Sequence, residues 1–506
     1  MKRIYYLILS AVICLSFLSS CYDDMGNYNY LNYNKIEEVK AEGITSVALG
    51  DTIKIRPVIK WKYPDRDTTA FDFRWELNDS VISNQRNLIY IPNIATTGRG
   101  CTLYITERSS GIVTIYSTSI SVLTSYRTGW VVLAEEEGKS ILSYVRRDTK
   151  TNDKGEKYFQ YVEYKDIYNT LFEGAPLGTD PKRLFYMQVG NKDEILVLQN
   201  PNESVYLSGE DFSKKTLLTD EFSDKKYPAG FIPREFVDAV YCNYLVGENG
   251  QVYWRVVSNY AQHVTRFFPE PLYHTQGLNV AFFPNIRLYG DVFMTYMYDK
   301  QNNKMYARST MLGTDAGALM RIVNNAKPEG VADITNFGNY QLIYMGGDKP
   351  NYMMILKDKT TGEYVYHSFR EANDFRLNLT ISRHFQEPFT GGPLITENTK
   401  FLHLRKTNYL FFGEGSKLYF YDRATKRVKL YHDFGSGNIV KIAPEAYETE
   451  LGVALDNGSL YVCSTKIEVL AADNPGAEGG ILHHITGLGK IVDLIWKYGG
   501  SYPLYI

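Results

Sequence analysis

A turn followed by a short strand, repeated seven times, constrains this chain more than any other feature. The copies fall at residues 137–142, 202–207, 249–254, 302–307, 361–366, 415–420 and 457–462. Most carry Gly or Asn in the turn and Tyr in the strand, as in Asn249-Gly250-Gln251-Val252-Tyr253 and Asn457-Gly458-Ser459-Leu460-Tyr461. From the Tyr of copies two to seven the steps are 47, 53, 60, 53 and 42 residues, and Leu142 lies 64 before Tyr206. A second strand-like run precedes several copies, at 194–198, 244–246, 352–356 and 451–455. Two such runs joined by Asn-Gly or another Gly turn make a β-hairpin, because those residues accept the positive φ the tight turn requires. Hairpins recurring about every fifty residues predict β-propeller blades, whose radial repetition leaves few free sheet edges. The expected architecture over 126–506 is therefore a propeller of seven blades, with six or eight as alternatives. The rival reading is a pair of unrelated β-domains that share hairpin chemistry. Residues 490–496 read as a strand able to pair with 129–133 and close the ring, and 502–506 are strand-like too. Helical text is scarce; 314–325 is its best candidate.

Before the repeats, residues 37–125 alternate polar and apolar with a turn about every ten residues, as in Thr52-Ile53-Lys54-Ile55-Arg56 and Phe71-Asp72-Phe73-Arg74-Trp75. That period and length predict a β-sandwich with Trp75 in its core, so the fold class is all-β throughout. The module resembles an immunoglobulin-like PKD domain, although Asn78-Asp79-Ser80 stands where the usual Gly-Asp turn would follow the Trp strand.

The amino terminus has another purpose. Lys2 and Arg3 precede an apolar run over 4–18, the length of a signal-peptide core and short for a bilayer span. Leu18-Ser19-Ser20-Cys21 resembles the lipobox of bacterial lipoproteins. The resemblance implies cleavage after residue 20 and acylation of Cys21; several acyl chains on one residue tether firmly without spanning. Asp23 and Asp24 resemble the acidic signal that sends Bacteroidetes lipoproteins to the outer face of the outer membrane. Residues 21–36 are rich in Asn, Tyr and Asp and poor in aliphatics, the composition of a tether that cannot bury enough to order itself.

Charge and cysteine count narrow the function further. Without Lys2 and Arg3 the chain holds 53 basic against 57 acidic residues, with no basic block, so nucleic acid is not an expected partner. Cys101, Cys242 and Cys463 are too far apart in sequence to make a disulfide framework or a metal-ligand spacing. No His-Glu-x-x-His, Gly-x-Ser-x-Gly, Cys-x-x-Cys or phosphate-binding glycine loop occurs, and His483-His484 would point to opposite faces of a strand. No cofactor, metal site or catalytic residue is therefore expected, though a glycosidase's carboxylate pair would be invisible in sequence spacing. Forty-two Tyr and 25 Phe supply strand formers and stacking surfaces. The aromatic-bearing loops are the candidate ligand-binding positions: Phe267, Phe268, Tyr273, His274, Phe282, Phe283, His384 and Phe385, with gap-filling between blades as the alternative role of each.

The order of lipobox, tether and module is similar to that of the PKD-like lipoproteins of Bacteroidetes. That resemblance implies a non-catalytic accessory subunit of a SusC/SusD-type importer, docked beside a SusC-like TonB-dependent transporter and a SusD-like lipoprotein and capturing oligopeptides or oligosaccharides. A surface glycan or peptide hydrolase, and an adhesin or interaction scaffold, are the alternatives.

Overall fold

A computed structural model describes residues 34–499 apart from 50, 66–68, 93–95, 190–191, 240, 258–261, 287–293, 310–316, 326, 376 and 408. The signal segment, Cys21, Asp23, Asp24, most of the tether and residues 502–506 lie outside the described residues. The chain divides into two units, residues 1–123 and 124–506, and both are built of strands.

In the first unit a three-stranded sheet (Ile36–Ile44, Ile53–Trp61, Leu88–Tyr90) faces a five-stranded one (Ser46–Ala48, Val113–Leu123, Thr96–Glu107, Phe71–Leu77, Ser80–Ser83). Strand Ile53–Trp61 shows why: Ile53 and Ile55 are buried while Lys54 and Arg56 are exposed, the period of two that puts one face on a core. Trp75 sits fully buried at the centre of that core, and its indole N–H donates to the carbonyls of Gln85 and Arg86 at 3.1 and 3.2 Å. At the unexpected Asn78-Asp79 turn both residues have positive φ, 49° and 61°, which joins Phe71–Leu77 to Ser80–Ser83 as a two-residue hairpin.

In the second unit every repeat copy becomes the third strand of an antiparallel up-and-down run. The first run is Lys490–Lys497, Gly129–Glu136, Lys139–Thr151 and Lys157–Tyr164, in spatial order. Its opening strand comes from the end of the described chain and pairs antiparallel with Gly129–Glu136, as expected, with Trp130 and Trp496 edge to face at 4.7 Å. The second is Arg183–Val189, Lys192–Leu198, Val205–Ser208 and Lys214–Leu217; the third has three strands, Pro233–Ala239, Cys242–Gly247 and Val252–Val256. The sixth is Lys400–His403, Tyr409–Glu414, Lys417–Asp422 and Arg427–Asp433, and the seventh Ile439–Pro444, Glu450–Leu455, Leu460–Ser464 and Ile481–Ile485.

The fourth and fifth runs differ from the expectation of separate hairpin sheets. Val280–Phe282, Met294–Asp299, Lys304–Ser309 and Leu319–Asn324 form one; Tyr340–Asp348, Asn351–Asp358, Tyr364–Phe375 and Asn378–Pro388 form the other. Their outer strands pair in parallel, Arg321 to Asn324 against Asn378 to Ile381, so the two runs fuse. With Asn285–Ile286 pairing at the far edge, the result is one nine-stranded sheet. Its two edge strands, Val280–Phe282 and Asn285–Ile286, are separated by only Phe283 and Pro284, so the sheet must curl. The best helix candidate is part of this sheet: Leu319–Asn324 is a strand, because an unpaired neighbouring edge offers it a ladder and Ile322-Val323 suit a strand better than a short helix.

Second strands of the runs are buried on both faces, as Gly129–Glu136, Cys242–Gly247, Met294–Asp299 and Glu450–Leu455 show. Packing on two sides explains it, since core clusters straddle successive runs. One holds Leu133, Tyr144, Ile195 and Leu207; another holds Leu196, Tyr206, Leu245 and Tyr253; a third holds Phe411, Phe420, Val453 and Cys463. A further cluster packs the seventh run on the first through Trp130, Ala454, Val462 and Trp496. Each fully buried aliphatic or aromatic side chain contributes about 1.5–3 kcal/mol.

Candidate functional site

Opening strands of five runs, Arg183–Val189, Pro233–Ala239, Lys400–His403, Ile439–Pro444 and Lys490–Lys497, converge on a cavity of about 420 Å³ in the second unit. The Phe283-Pro284 link of the curled sheet completes part of its wall.

Local strand irregularities put charge on this wall and just behind it. In three opening strands one residue is unpaired: Arg234 between Pro233 and Glu235, Val440 between Ile439 and Lys441, and Val492 between Ile491 and Asp493. Such a bulge re-aims the side chain that follows it. The residues that follow are Glu235, Lys441 and Asp493, and these three interact around Arg183. A fourth bulge, at Ile343, precedes Tyr344, whose hydroxyl oxygen accepts the backbone N–H of His403 at 2.9 Å.

Asp493 is the hub. It accepts the backbone N–H of Leu184 at 2.8 Å and pairs with Lys441 Nζ at 3.1 Å and Arg183 Nε at 3.7 Å. Burial pulls the Lys441 ammonium below the usual lysine range, and Asp493 opposes that pull. Burial also pushes the Glu235 carboxyl up, against Arg183, Arg234 and Lys441 and the N–H of Phe283 that lower it. Both side chains are hemmed in by protein while still facing open space, as cavity-lining groups do; a buried charge that keeps partners and a route to water is tolerable.

Other charges at this wall are already satisfied. Arg405 Nε pairs with Glu448 at 2.6 Å, and Glu448 also accepts the backbone N–H groups of Arg405 and Lys406. Arg234 donates to the carbonyls of Gly247, Val280 and Ala281 at 2.9, 2.7 and 2.6 Å, tying the third run to the curled sheet. Burial drives the His403 imidazole down to about 4, so it is neutral at physiological pH. Phe185, Tyr186, Phe236, Trp496 and Tyr498 supply the apolar and aromatic part of the lining.

The sequence-predicted loop aromatics do not form one site. Phe267 is fully buried, and Phe222 and Arg255 pack on its ring. Phe268 is exposed and lies against Trp254, Tyr273 is the most exposed of the set, and His274 shares a 3.2 Å contact with the Tyr306 hydroxyl. Phe282 packs on Tyr298. Phe283 alone reaches the cavity wall. His384 pairs with His367, and Phe385 is exposed beneath Lys426. Arg255, whose guanidinium covers Phe267, is fully buried in an ion pair with Glu221. Glu235, Lys441 and Asp493 escaped sequence reading because a one-residue bulge leaves no mark on the polar and apolar pattern, and Arg183 because nothing distinguishes it from any other strand residue.

Comparison with known proteins adds little to this site. Among solved structures, a candidate 6-phosphogluconolactonase from Bacteroides fragilis is 10% identical, covering 74% of this chain and 98% of that one, at a TM-score of 0.41. A nidogen/laminin complex gives 9% identity, 74% and 100% coverage and 0.33, and the computationally designed Ika8 protein 9%, 75% and 96%, and 0.37. Among curated proteins none matches the sequence. The model of the PKD-like family matches residues 21–181, so the amino-terminal part of this all-β chain carries a PKD-like domain.

Proposed function

We propose that this chain is a non-catalytic binding protein tethered to the outer membrane through lipidated Cys21, serving a SusC/SusD-type nutrient importer. In this reading the second unit is a seven-bladed propeller, its blades the seven runs, and the small-molecule ligand sits in the cavity lined by the opening strands of five of them. The observation that carries it is the cavity itself: concave, walled by aromatics, and holding a few convergent charged groups, with Glu235 and Lys441 each following a bulge, which is how ligand sites are built. Successive packing of the runs, with the seventh on the first, supports the closed ring. The importer and the lipid anchor rest on the lipobox resemblance and the PKD-like match.

Three experiments test the reading. Purification from detergent-solubilised outer membranes should retrieve a large β-barrel and a second lipoprotein, and Cys21→Ala should abolish palmitate incorporation. In addition, a mixture of oligopeptides and oligosaccharides should raise the melting temperature of the second unit. A chain recovered alone, unlabelled by palmitate and unmoved by any ligand would refute the proposal.

A further inference from the structure

We propose that the cavity takes the carboxylate of a small organic acid in the fork of Arg183, an inference that rests on the ligand-binding reading of this cavity. A guanidinium presents five N–H donors in a plane that matches a carboxylate, and it uses them two at a time. Of the other arginines near this wall, Arg405, which lines it, is spent on Glu448, and Arg234, beside it, on carbonyls. Arg183 is different. Its one ion pair is the 3.7 Å approach of Nε to Asp493, and it donates to no other acceptor among the described residues. Its guanidinium stacks over the Phe185 ring at 5.1 Å, and 39% of the side chain remains exposed. The plane is therefore held by the ring beneath it while the two Nη groups keep their hydrogen-bonding capacity.

The surroundings favour an anion with an apolar body. Lys441 stands next to Arg183 across Asp493, so two cations share one carboxylate, and a second carboxylate brought by a guest would balance them. Glu235 and Asp238, which also line the cavity, oppose such a guest; burial pushes the Glu235 carboxyl towards the uncharged form, and Asp238 accepts the Asn243 amide at 3.0 Å. Phe236, Phe283 and Trp496 offer surface for the rest of the molecule. The shared chemistry is a carboxylate on a partly apolar frame, which a peptide carboxy terminus and a uronic acid both provide.

Calorimetric titration of the full chain in detergent with four probes tests this: the tripeptide Gly-Gly-Phe, its carboxy-terminal amide, cellobiouronic acid and cellobiose. One acid or both should bind at least tenfold more tightly than the matching neutral compound, and the acid that binds identifies the source. Arg183→Gln should weaken acid binding tenfold or more while leaving the weak binding of the neutral partner unchanged. Arg183→Lys, which keeps the charge and loses the fork, should fall between. Asp493 retains Lys441 and the Leu184 N–H, and Glu235, which loses Arg183 in the Gln variant, retains Arg234 and Lys441, so neither variant leaves a carboxylate without a cation. Neutral probes binding as tightly as the acids, or Arg183→Gln binding the acids undiminished, would overturn the carboxylate assignment and leave the cavity a ligand site. Binding of none of the four overturns both.

Discussion

His263 should make the stability of the second unit depend on pH in the alkaline range, because two buried carboxylates hold its ring. Its Nε2 lies 2.6 Å from Glu194 and its Nδ1 3.1 Å from Glu221. Glu194 also holds Lys215 at 2.9 Å, and Glu221 also holds Arg255 and, at 3.5 Å, Arg266. Burial works against the imidazolium, but the two carboxylates outweigh it and push the imidazole up from 6.5 to about 9. A folded value above the unfolded one means the charged ring binds its proton more tightly in the native state. The stabilisation is therefore complete below about pH 6.5 and disappears as pH rises through 9. At about 1.36 kcal/mol per pH unit, the gap between 6.5 and about 9 is worth about 3 kcal/mol, trimmed to roughly 2 because 27% of the side chain meets solvent. The perturbation is His263→Gln, which keeps a polar group of similar reach and removes the charge. Urea unfolding of wild type and variant at pH 6 should differ by roughly 2 kcal/mol, more if the carboxylates are left repelling, and at pH 10.5 by under about 0.5 kcal/mol. Equal differences at the two pH values would refute the reasoning, because a purely steric role for the ring has no reason to vanish on deprotonation.

Three further outcomes follow from named contacts. Lys497 and Asp193 are both buried and 2.7 Å apart, so Lys497→Met should cost about 3–5 kcal/mol by stranding a carboxylate, and adding Asp193→Asn should restore much of it in denaturant titration. Trp75→Ala removes the fully buried indole of the sandwich core and its two hydrogen bonds, and should cost the first unit about 3–5 kcal/mol; protease protection of residues 36–123 would report it, and a loss under 1 kcal/mol would contradict the packing. Burial pushes the Cys101 and Cys242 thiols up to about 11 and raises Cys463 further, so none of the three should react with a disulfide reagent at pH 8 until denaturant is added, with peptide mapping identifying the sites.

Much of the architecture is legible in the residues one at a time. Asn457-Gly458 is an example: Gly458 has φ +83°, and a Cβ there would lie 2.6 Å from the Gly489 carbonyl, so the turn chemistry and the close approach both demand glycine. Period-two strands, Gly turns and the Lys490–Lys497 closing strand need only local rules or a simple pairing, and they placed Trp75 in a core and every repeat in a sheet. The site was not legible. Glu235 precedes Lys441 by 206 residues and Lys441 precedes Asp493 by 52, and no spacing rule links them. Nor does sequence reveal which loop aromatics end in the core, since Phe267 and Phe268 are neighbours with opposite fates.

By itself, then, the sequence determined that the chain is β throughout, that hairpins recur seven times, and that a sandwich precedes them, because these follow from side-chain period and backbone freedom within ten residues. Only the tertiary structure decided that two of the runs fuse through parallel outer edges, and that bulged opening strands turn Glu235 and Lys441 on one cavity with Asp493 buried behind them. Edge pairing and bulge register depend on which strands lie next to each other in space, and that is settled by packing across hundreds of residues.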